Sequence, residues 1–350
     1  MRISFKLRKA TLWCKAGTEV AFGQHQLHGP VSLTKIQSLL PALSSVPRAQ
    51  QTSPGYLEIT SPDGSSVWGI NLTLGSLSSW KRNVGPFTEL MTKPLTIDFY
   101  RALTDNDRGG RFGQQWRQRR LHQTKHHVRQ VRWKTGSTGL IVEIQGRVAP
   151  PVLAWGVDTT ITITFGHGVH LRLKAKPHGP LLPDTFARFG LTFGIEGVEH
   201  VRWFGRGPGE SYSDKKRSQS FGTWQSSVDD LFVDYDYPQD GGNRTDVRWI
   251  EFLGATGKKD AGTGTKPRKR LLRARFGDLD GASFSAMHYT TADLDEAGHP
   301  YELRKKKRKD TVVRLDWAHH GIGSGSCGPA TLPQYELKTN REFEYELLLD

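Results

Sequence analysis

The sequence predicts an all-β protein built as a large antiparallel sandwich, and three observations carry that expectation. Short runs rich in β-branched and aromatic residues recur along the chain, separated by clusters of Gly, Pro, Asn and Asp, at the spacing of a sandwich or barrel. The segment Thr159–Phe165, T-T-I-T-I-T-F, alternates with period two, the signature of a half-buried strand. The regularly interleaved helical patterns that repeated βαβ units require are absent.

In chain order, Ile3–Cys14 alternates and carries Phe5, Leu7, Leu12 and Trp13. Residues 29–51 are rich in Pro, Ser and Gln and read as a linker. A hairpin follows: Tyr56–Thr60, the turn Ser61-Pro62-Asp63-Gly64, then Val67–Leu74, with Pro and Asp-Gly supplying the dihedrals of the turn. Val128–Trp133 and Leu140–Val148 flank a Gly-containing turn at 135–138, and His170–Ala175 answers Thr159–Phe165. Further strands are expected at Phe186–Phe193, His200–Phe204, Asp246–Phe252, Leu271–Phe276, Ser283–Tyr289, Thr311–Trp317, Gln334–Leu337 and Glu342–Leu348. Helical signals are few. Asp105 or Asn106 can cap a helix running through Gln114–Leu121, with Gly109, Gly110 and Gly113 weakening its first turns. Thr290 or Thr291 can cap a short turn through Ala297. The chain opens on a strand after Met1 and closes just beyond another, so the first strand is expected to complete a sheet whose other strands lie outside this sequence.

Composition narrows the class. Of 350 residues, 36% are hydrophobic and 24% charged, enough apolar material for a core and unlike a disordered chain. No apolar run reaches the ~20 residues of a membrane span. No secretory leader pattern stands at the start, which favours a cytoplasmic home. Cys14 and Cys327 lie at opposite ends and predict neither a disulfide framework nor a cysteine-rich zinc site. The 49 Lys and Arg against 35 Asp and Glu give a net charge of +14, which invites a nucleic-acid reading. The basic runs 266–275 and Arg304–Lys309 are the densest, yet they sit between strands with no nucleic-acid fold signature. Nucleic acid is therefore not expected as a partner.

The search for chemistry returns mostly negatives. There is no H-E-x-x-H, no G-x-S-x-G and no P-loop, and the pairs His126-His127 and His319-His320 point to opposite faces of a strand. Gly205-Arg206-Gly207-Pro208-Gly209 lacks the G-x-G-x-x-G spacing and the following helix of a dinucleotide site. Carboxylates cluster at Asp105-Asn106-Asp107 and at Asp229-Asp230 with Asp234 and Asp236. A pair about 5–5.5 Å apart could serve glycoside hydrolysis, whereas carboxylates bonded to local backbone would only brace loops. Ten Trp, 9 Tyr and 16 Phe supply faces that stack on sugar rings or fill a core. Two segments stand out, Asp240–Trp249 and the Gly-rich stretch from His319 to Pro329 that carries Cys327.

These segments form an ordered series that resembles the C-terminal region of β-galactosidases of glycoside hydrolase family 2, with wording closer to fungal members. Thr11–Gln24 resembles the last strands of an immunoglobulin-like domain, and Tyr100–Asp107 (Y-R-A-L-T-D-N-D) resembles an R-A-P-x-D-N-D entry. Trp203–Asp214 resembles G-x-G-P-x-E-x-Y-x-D, with Gly209 in place of a polar residue. Pro238–Arg244 resembles P-x-E-N-G-x-R, and Leu315–Gly323 resembles a late G-x-G loop.

The resemblance implies a galactose mutarotase-like β-supersandwich over residues 55–350, preceded by a linker over 29–54 and an immunoglobulin-like fragment over 1–28. It implies that the two catalytic glutamates of a retaining β-galactosidase lie on a TIM barrel absent from this chain, so no catalytic residue is assigned here. It implies a galactoside such as lactose as substrate and the barrel portion or a large subunit as partner, with homo-oligomers at full length. No metal is assigned, because the family's Mg and Na ligands lie mainly upstream. The late loop contributes to the rim of the galactose site, where Cys327, with Ser326 beside it, stands at the position of a sugar-stacking Trp. A thiol offers no aromatic face, so weaker stacking and a more open site are expected. The alternative reading is a stand-alone carbohydrate-binding module or an aldose-epimerase-like protein.

Overall fold

A computed structural model describes the chain except for residues 28, 40–44, 84–86, 137–138, 256–267, 278 and 324–329. Its strands, in order, are β1 (Arg2–Lys6), β2 (Glu19–Gln24), β3 (Arg48–Ser53), β4 (Tyr56–Thr60), β5 (Ser66–Asn71), β6 (Ser76–Asn83), β7 (Phe87–Glu89), β8 (Met91–Asp98), β9 (Lys125–Gly136), β10 (Gly139–Ala149), β11 (Gly156–Phe165), β12 (Val169–His178), β13 (Arg188–Ile195), β14 (His200–Gly207), β15 (Ser220–Ser227), β16 (Trp249–Ala255), β17 (Arg268–Arg275), β18 (Ser283–Met287), β19 (Thr311–His319) and β20 (Phe343–Leu349). Short helices lie between them: α1 (Leu33–Ser38), α2 (Asp105–Gly109), α3 (Arg111–Gln118), α4 (Val228–Leu231), α5 (Thr291–Glu296) and α6 (Pro300–Lys305).

The strands form a nine-stranded sheet, β15-β14-β16-β17-β20-β12-β11-β10-β9, a four-stranded sheet, β18-β19-β13-β8, a five-stranded sheet, β3-β4-β5-β6-β7, and the pair β1-β2. The neighbouring strands described in these sheets run antiparallel. The all-β expectation holds. The alternation of β11 does what it predicts: Ile161, Ile163 and Phe165 are buried while the intervening threonines are partly exposed. The aromatic residues weld the sheets together. Phe189 of β13 meets Phe343 of β20 at 4.9 Å between ring centroids, Trp203 of β14 meets Phe284 of β18 at 5.6 Å, and Trp68 of β5 meets Phe165 of β11 at 5.3 Å. Offset and edge-to-face rings of this kind add to the area they bury.

Several sequence expectations change. The segment read as a linker over 29–54 contains β3, which pairs with β4, and α1, whose Leu33 is buried. The five-stranded sheet therefore starts at Arg48. Gln334–Leu337 is not a strand; Pro333 opens a 3₁₀ turn through Tyr335 instead, since proline has no N–H to give a ladder. The single helix expected from Asp105 or Asn106 is two, broken at Gly110, and its cap is Thr104. The strands β6, β8 and β15 carried too weak a signal to be read. β15 is a Ser-containing edge strand, and β8 contains Pro94, which an edge position tolerates.

The topology also decides where polar groups go. On β19, Val313 and Leu315 are buried in the hydrophobic core, while Arg314 and Asp316 occupy the opposite face and are buried too. Register places Arg188, Gly190 and Thr192 of β13 beside His319, Asp316 and Arg314 respectively. A Cβ on Gly190 would fall 2.1 Å from Asp316 Oδ1 and 2.3 Å from the Leu315 carbonyl. Glycine thus makes room for the carboxylate that Arg188 Nε reaches at 2.8 Å. Gly190→Ala is expected to lower stability by about 1–3 kcal/mol through overpacking, read as a reduced midpoint of denaturant unfolding. An unchanged midpoint would show that the strand can shift at no cost.

Candidate functional site

Behind the four-stranded sheet, the motifs singled out in the sequence converge on one buried polar cluster. At its centre lies Arg101, fully buried, with a use for each of its five N–H donors. Nε and Nη2 donate to the two oxygens of Asp107 at 3.0 and 2.8 Å. Nη1 donates to His319 Nδ1 at 3.0 Å and to the His320 carbonyl at 2.7 Å, and Nη2 also reaches the Gly321 carbonyl at 3.2 Å. The fork geometry of guanidinium suits this bidentate pairing. Asp107 is held in turn by a capping box: Thr104 Oγ1 accepts from the Asp107 N–H, and Asp107 Oδ2 accepts from the Thr104 N–H. The T-D-N-D run therefore builds a helix start and a buried counter-ion with the same carboxylate.

The late G-x-G run is clamped at its backbone. Asp214 accepts from the Ile322 N–H at 3.1 Å and from the Gly323 N–H at 2.6 Å. Asn106 Nδ2 donates to the carbonyls of the same two residues, at 3.0 and 2.6 Å. Thr331 Oγ1 donates to the Gly321 carbonyl at 3.1 Å. Gly323 has φ +59°, and a Cβ there would fall 2.7 Å from the Thr331 N, so glycine is required by both the backbone and the space. Residues from two motifs, Tyr100–Asp107 and Trp203–Asp214, thus fix Gly321–Gly323, and Thr331, beyond 324–329, is tied to Gly321. Ser326 and Cys327 themselves lie outside the described residues.

The remaining motifs close the cluster. Asp240 accepts from Arg314 Nη1 at 3.1 Å and from the Tyr212 hydroxyl at 3.2 Å. Burial raises its pKa, against the opposing pull of Arg314, Arg101 and Arg188. Asp316, beside Arg188, is pushed up to about 6, chiefly by burial. Because the Arg101 guanidinium can only donate, His319 Nδ1 accepts, leaving its proton on Nε2, 3.7 Å from Asp240 Oδ2. Burial and the nearby Arg101 charge hold both His319 and His320 well below the usual imidazole range. Glu210 of G-x-G-P-x-E accepts from the Gly242 N–H at 2.8 Å and from the Tyr235 hydroxyl. Gly209, where a polar residue was expected, donates its N–H to Gln219 Oε1 at 2.7 Å. Arg244 spends its guanidinium on carbonyls of Leu231, Gly242 and Pro208, and burial lowers its pKa to about 10.

Several of the clustered carboxylates are engaged in local bonds and ion pairs. Asp105 bonds Arg108 and Gln239, Asp229 pairs with Lys307, Asp230 accepts from the hydroxyl of Ser227, the N-cap of α4, and Asp234 faces Arg304. Among the described residues no group of three His, Cys, Asp or Glu side chains is placed to share a metal ion. Several residues of the basic runs are ion-paired. Arg304, Lys306, Lys307 and Arg308 face Asp234, Glu296, Asp229 and Asp310. Glu251 draws Arg270 and Arg273, while Asp350 draws Arg273 and Arg275. No described helix is long and apolar enough to cross a membrane. Sequence reasoning missed Arg101, Asp214 and Thr331 as site-forming residues. Their only signal was membership of the motifs or proximity to them.

Removing Arg101 leaves Asp107 as an uncompensated buried charge. Arg101→Leu is expected to cost about 3–5 kcal/mol, measured by urea unfolding followed by intrinsic fluorescence. Arg101→Lys should recover only part of this, because an ammonium cannot fork onto a carboxylate and two carbonyls together. Full recovery with Lys would refute the geometric account. The pH dependence follows from the buried imidazoles. Their folded pKa lies below the unfolded value of ~6.5, so the unfolded chain binds more protons and stability falls as pH drops below that value. Each histidine contributes up to about 1.4 kcal/mol per pH unit. Below about 6 the raised carboxyl of Asp316 acts in the opposite sense. The loss should therefore set in below pH ~6.5 and continue toward pH ~5, partly offset by Asp316, and shrink in His320→Gln; an unfolding midpoint that does not change over that range would contradict it.

Comparison with known proteins agrees with the motif series. The beta galactosidase small chain family matches residues 63–349. A beta-galactosidase of Kluyveromyces lactis is 32% identical over 343 residues, covering 96% of this chain and 31% of its own length. One from Priestia megaterium is 28% identical, covering 98% of this chain and 30% of its own. The chain thus spans about a third of the length of these relatives. Among solved structures, a GalM/aldose epimerase homologue from C. elegans is similar with a TM-score of 0.42 and 10% identity, covering 85% of this chain and 98% of that one. A galactose mutarotase-like protein from Lactobacillus casei gives a TM-score of 0.40 at 9% identity, covering 84% and 99%. With its own motifs gathered into one site and the match running through nearly all of its sandwich, the chain belongs to the beta galactosidase small chain family.

Proposed function

We propose that this chain is the C-terminal, pocket-shaping part of a retaining β-galactosidase and contributes to the rim of the galactose site. The observation that carries this reading is the clamp on Gly321–Gly323 and Thr331. Asp214, Asn106 and Arg101 come from distant parts of the chain, and they spend buried or half-buried polar groups on fixing backbone beside the segment with Ser326 and Cys327. A side chain meant to touch a ligand needs such a braced support, and loops held on rigid scaffolds are where binding residues concentrate.

In this reading the chemistry is divided between two parts of one enzyme. Retaining glycoside hydrolysis uses one carboxyl as acid and base and a second as nucleophile, about 5–5.5 Å apart. Both belong to the barrel portion, as do the Mg and Na ligands that the family resemblance implies. Cys327, with Ser326, borders the galactose, and the hairpin β1-β2 is the end of an immunoglobulin-like domain. The assembled enzyme acts on galactosides such as lactose, forms homo-oligomers and works in the cytoplasm.

Two outcomes test this. The purified chain alone should not turn over nitrophenyl galactoside, whereas co-expression with a barrel-bearing chain should give a co-purifying, active complex. Turnover by the isolated chain would sink the proposal. In that complex, Cys327→Ala should raise KM for galactosides several-fold while the unfolding midpoint stays put. An unchanged KM would remove Cys327 from the rim.

A further inference from the structure

A second feature lies on the other side of the molecule from the sheet's packed face. The outer surface of the β15-β14-β16 end of the nine-stranded sheet carries a ledge of three rings. Phe221 and Phe204 meet edge to face at 4.7 Å between centroids, and Phe204 and Trp249 stack at 6.2 Å with 25° between their planes. The pair β1-β2 stands across from this ledge and encloses a groove of about 1650 Å³. Its position is pinned. The Gln24 carboxamide donates to the Phe221 carbonyl at 2.7 Å and accepts from the Phe221 N–H at 2.6 Å, so one side chain pairs with the sheet edge as a strand would. Phe22, under the Arg2 guanidinium, faces the groove from this opposite wall.

Several of the groove's cations are held by carboxylates. Arg206 Nε and Lys216 Nζ each reach an oxygen of Asp246 at 2.6 Å, and Arg248 Nη2 reaches Asp280 at 3.0 Å. Cations paired in this way keep planar hydrogen-bonding edges but cancel much of each other's field. Asp246 itself sits at φ +56°, an uncommon backbone state for a residue other than glycine. The groove exceeds the ~300–1,000 Å³ of sites for compact ligands, so it suits an extended one.

We propose that this groove binds a neutral oligosaccharide, with pyranose rings stacked along Phe221, Phe204 and Trp249 and hydroxyls taken by the Arg206–Asp246–Lys216 group. The aromatic ledge is longer than one sugar ring, so binding strengthens from a mono- to a trisaccharide. Because the ligand is neutral, its binding is insensitive to salt, which separates it from attraction of a polyanion to the groove's cations.

The test is calorimetric titration of the full chain with neutral galacto-oligosaccharides of increasing length, and with heparin, at low and high salt. Saturable binding that grows with length and ignores salt is expected. Trp249→Ala and Phe221→Ala should each weaken it about tenfold, Trp249→Phe should keep most of it, and Lys176→Ala, on a strand that does not border the groove, should change nothing. Near-ultraviolet circular dichroism checks that each variant is folded, and quenching of Trp249 fluorescence by bound sugar gives a second readout. No binding by a folded chain, equal binding by Trp249→Ala and Phe221→Ala, or binding confined to heparin at low salt would each overturn the proposal.

Discussion

The structure around the motifs depends on one buried guanidinium. Arg101 carries a full charge into a site without solvent, a costly position unless every donor is matched. The match draws on residues far apart in the chain: Asp107 six positions away, and the carbonyls of His320 and Gly321 about 220 positions away. The charge therefore sets more than its own environment. It fixes the tautomer of His319, holds the start of α2 through Asp107 and anchors the first residues of the late loop. Asp214 and Asn106 then only have to complete a backbone path that Arg101 has already positioned.

The same demand for matched charge organises the rest of the molecule. Arg188 and Asp316 settle behind the four-stranded sheet because Gly190 leaves room for a carboxylate. At the surface, a strongly basic chain keeps its densest runs beside acids from other segments, so the excess charge is spread rather than gathered into one field. Paired cations also line the groove beneath β1-β2, where they sit next to aromatic rings.

Much of the fold was legible beforehand. The alternation of Thr159–Phe165 and its neighbours marks strands because period two puts alternate side chains on opposite faces. Strands at sheet edges were harder. β8 with its Pro94 and β15 with its serines bury less on each side, so their sequences carry weaker patterning. β3 and α1 were hidden in a Pro-, Ser- and Gln-rich stretch, since a fully exposed strand such as β3 needs no apolar face at all. The order of the T-D-N-D, G-P-G-E, P-Q-D-G-G-N-R and late G-x-G motifs was legible as a resemblance to one family, but their convergence and their individual bonds were not.

By itself, the sequence determined the class of fold, the order of its motifs and the family they belong to, because periodicity and local motifs are properties of neighbouring residues. Only the tertiary structure decided which carboxylates are spent on braces and which arginine anchors the late loop. It also decided that a glutamine side chain would close a sheet edge. Those outcomes depend on pairings between residues up to about 220 positions apart, and burial strengthens such pairings in a way no local pattern records.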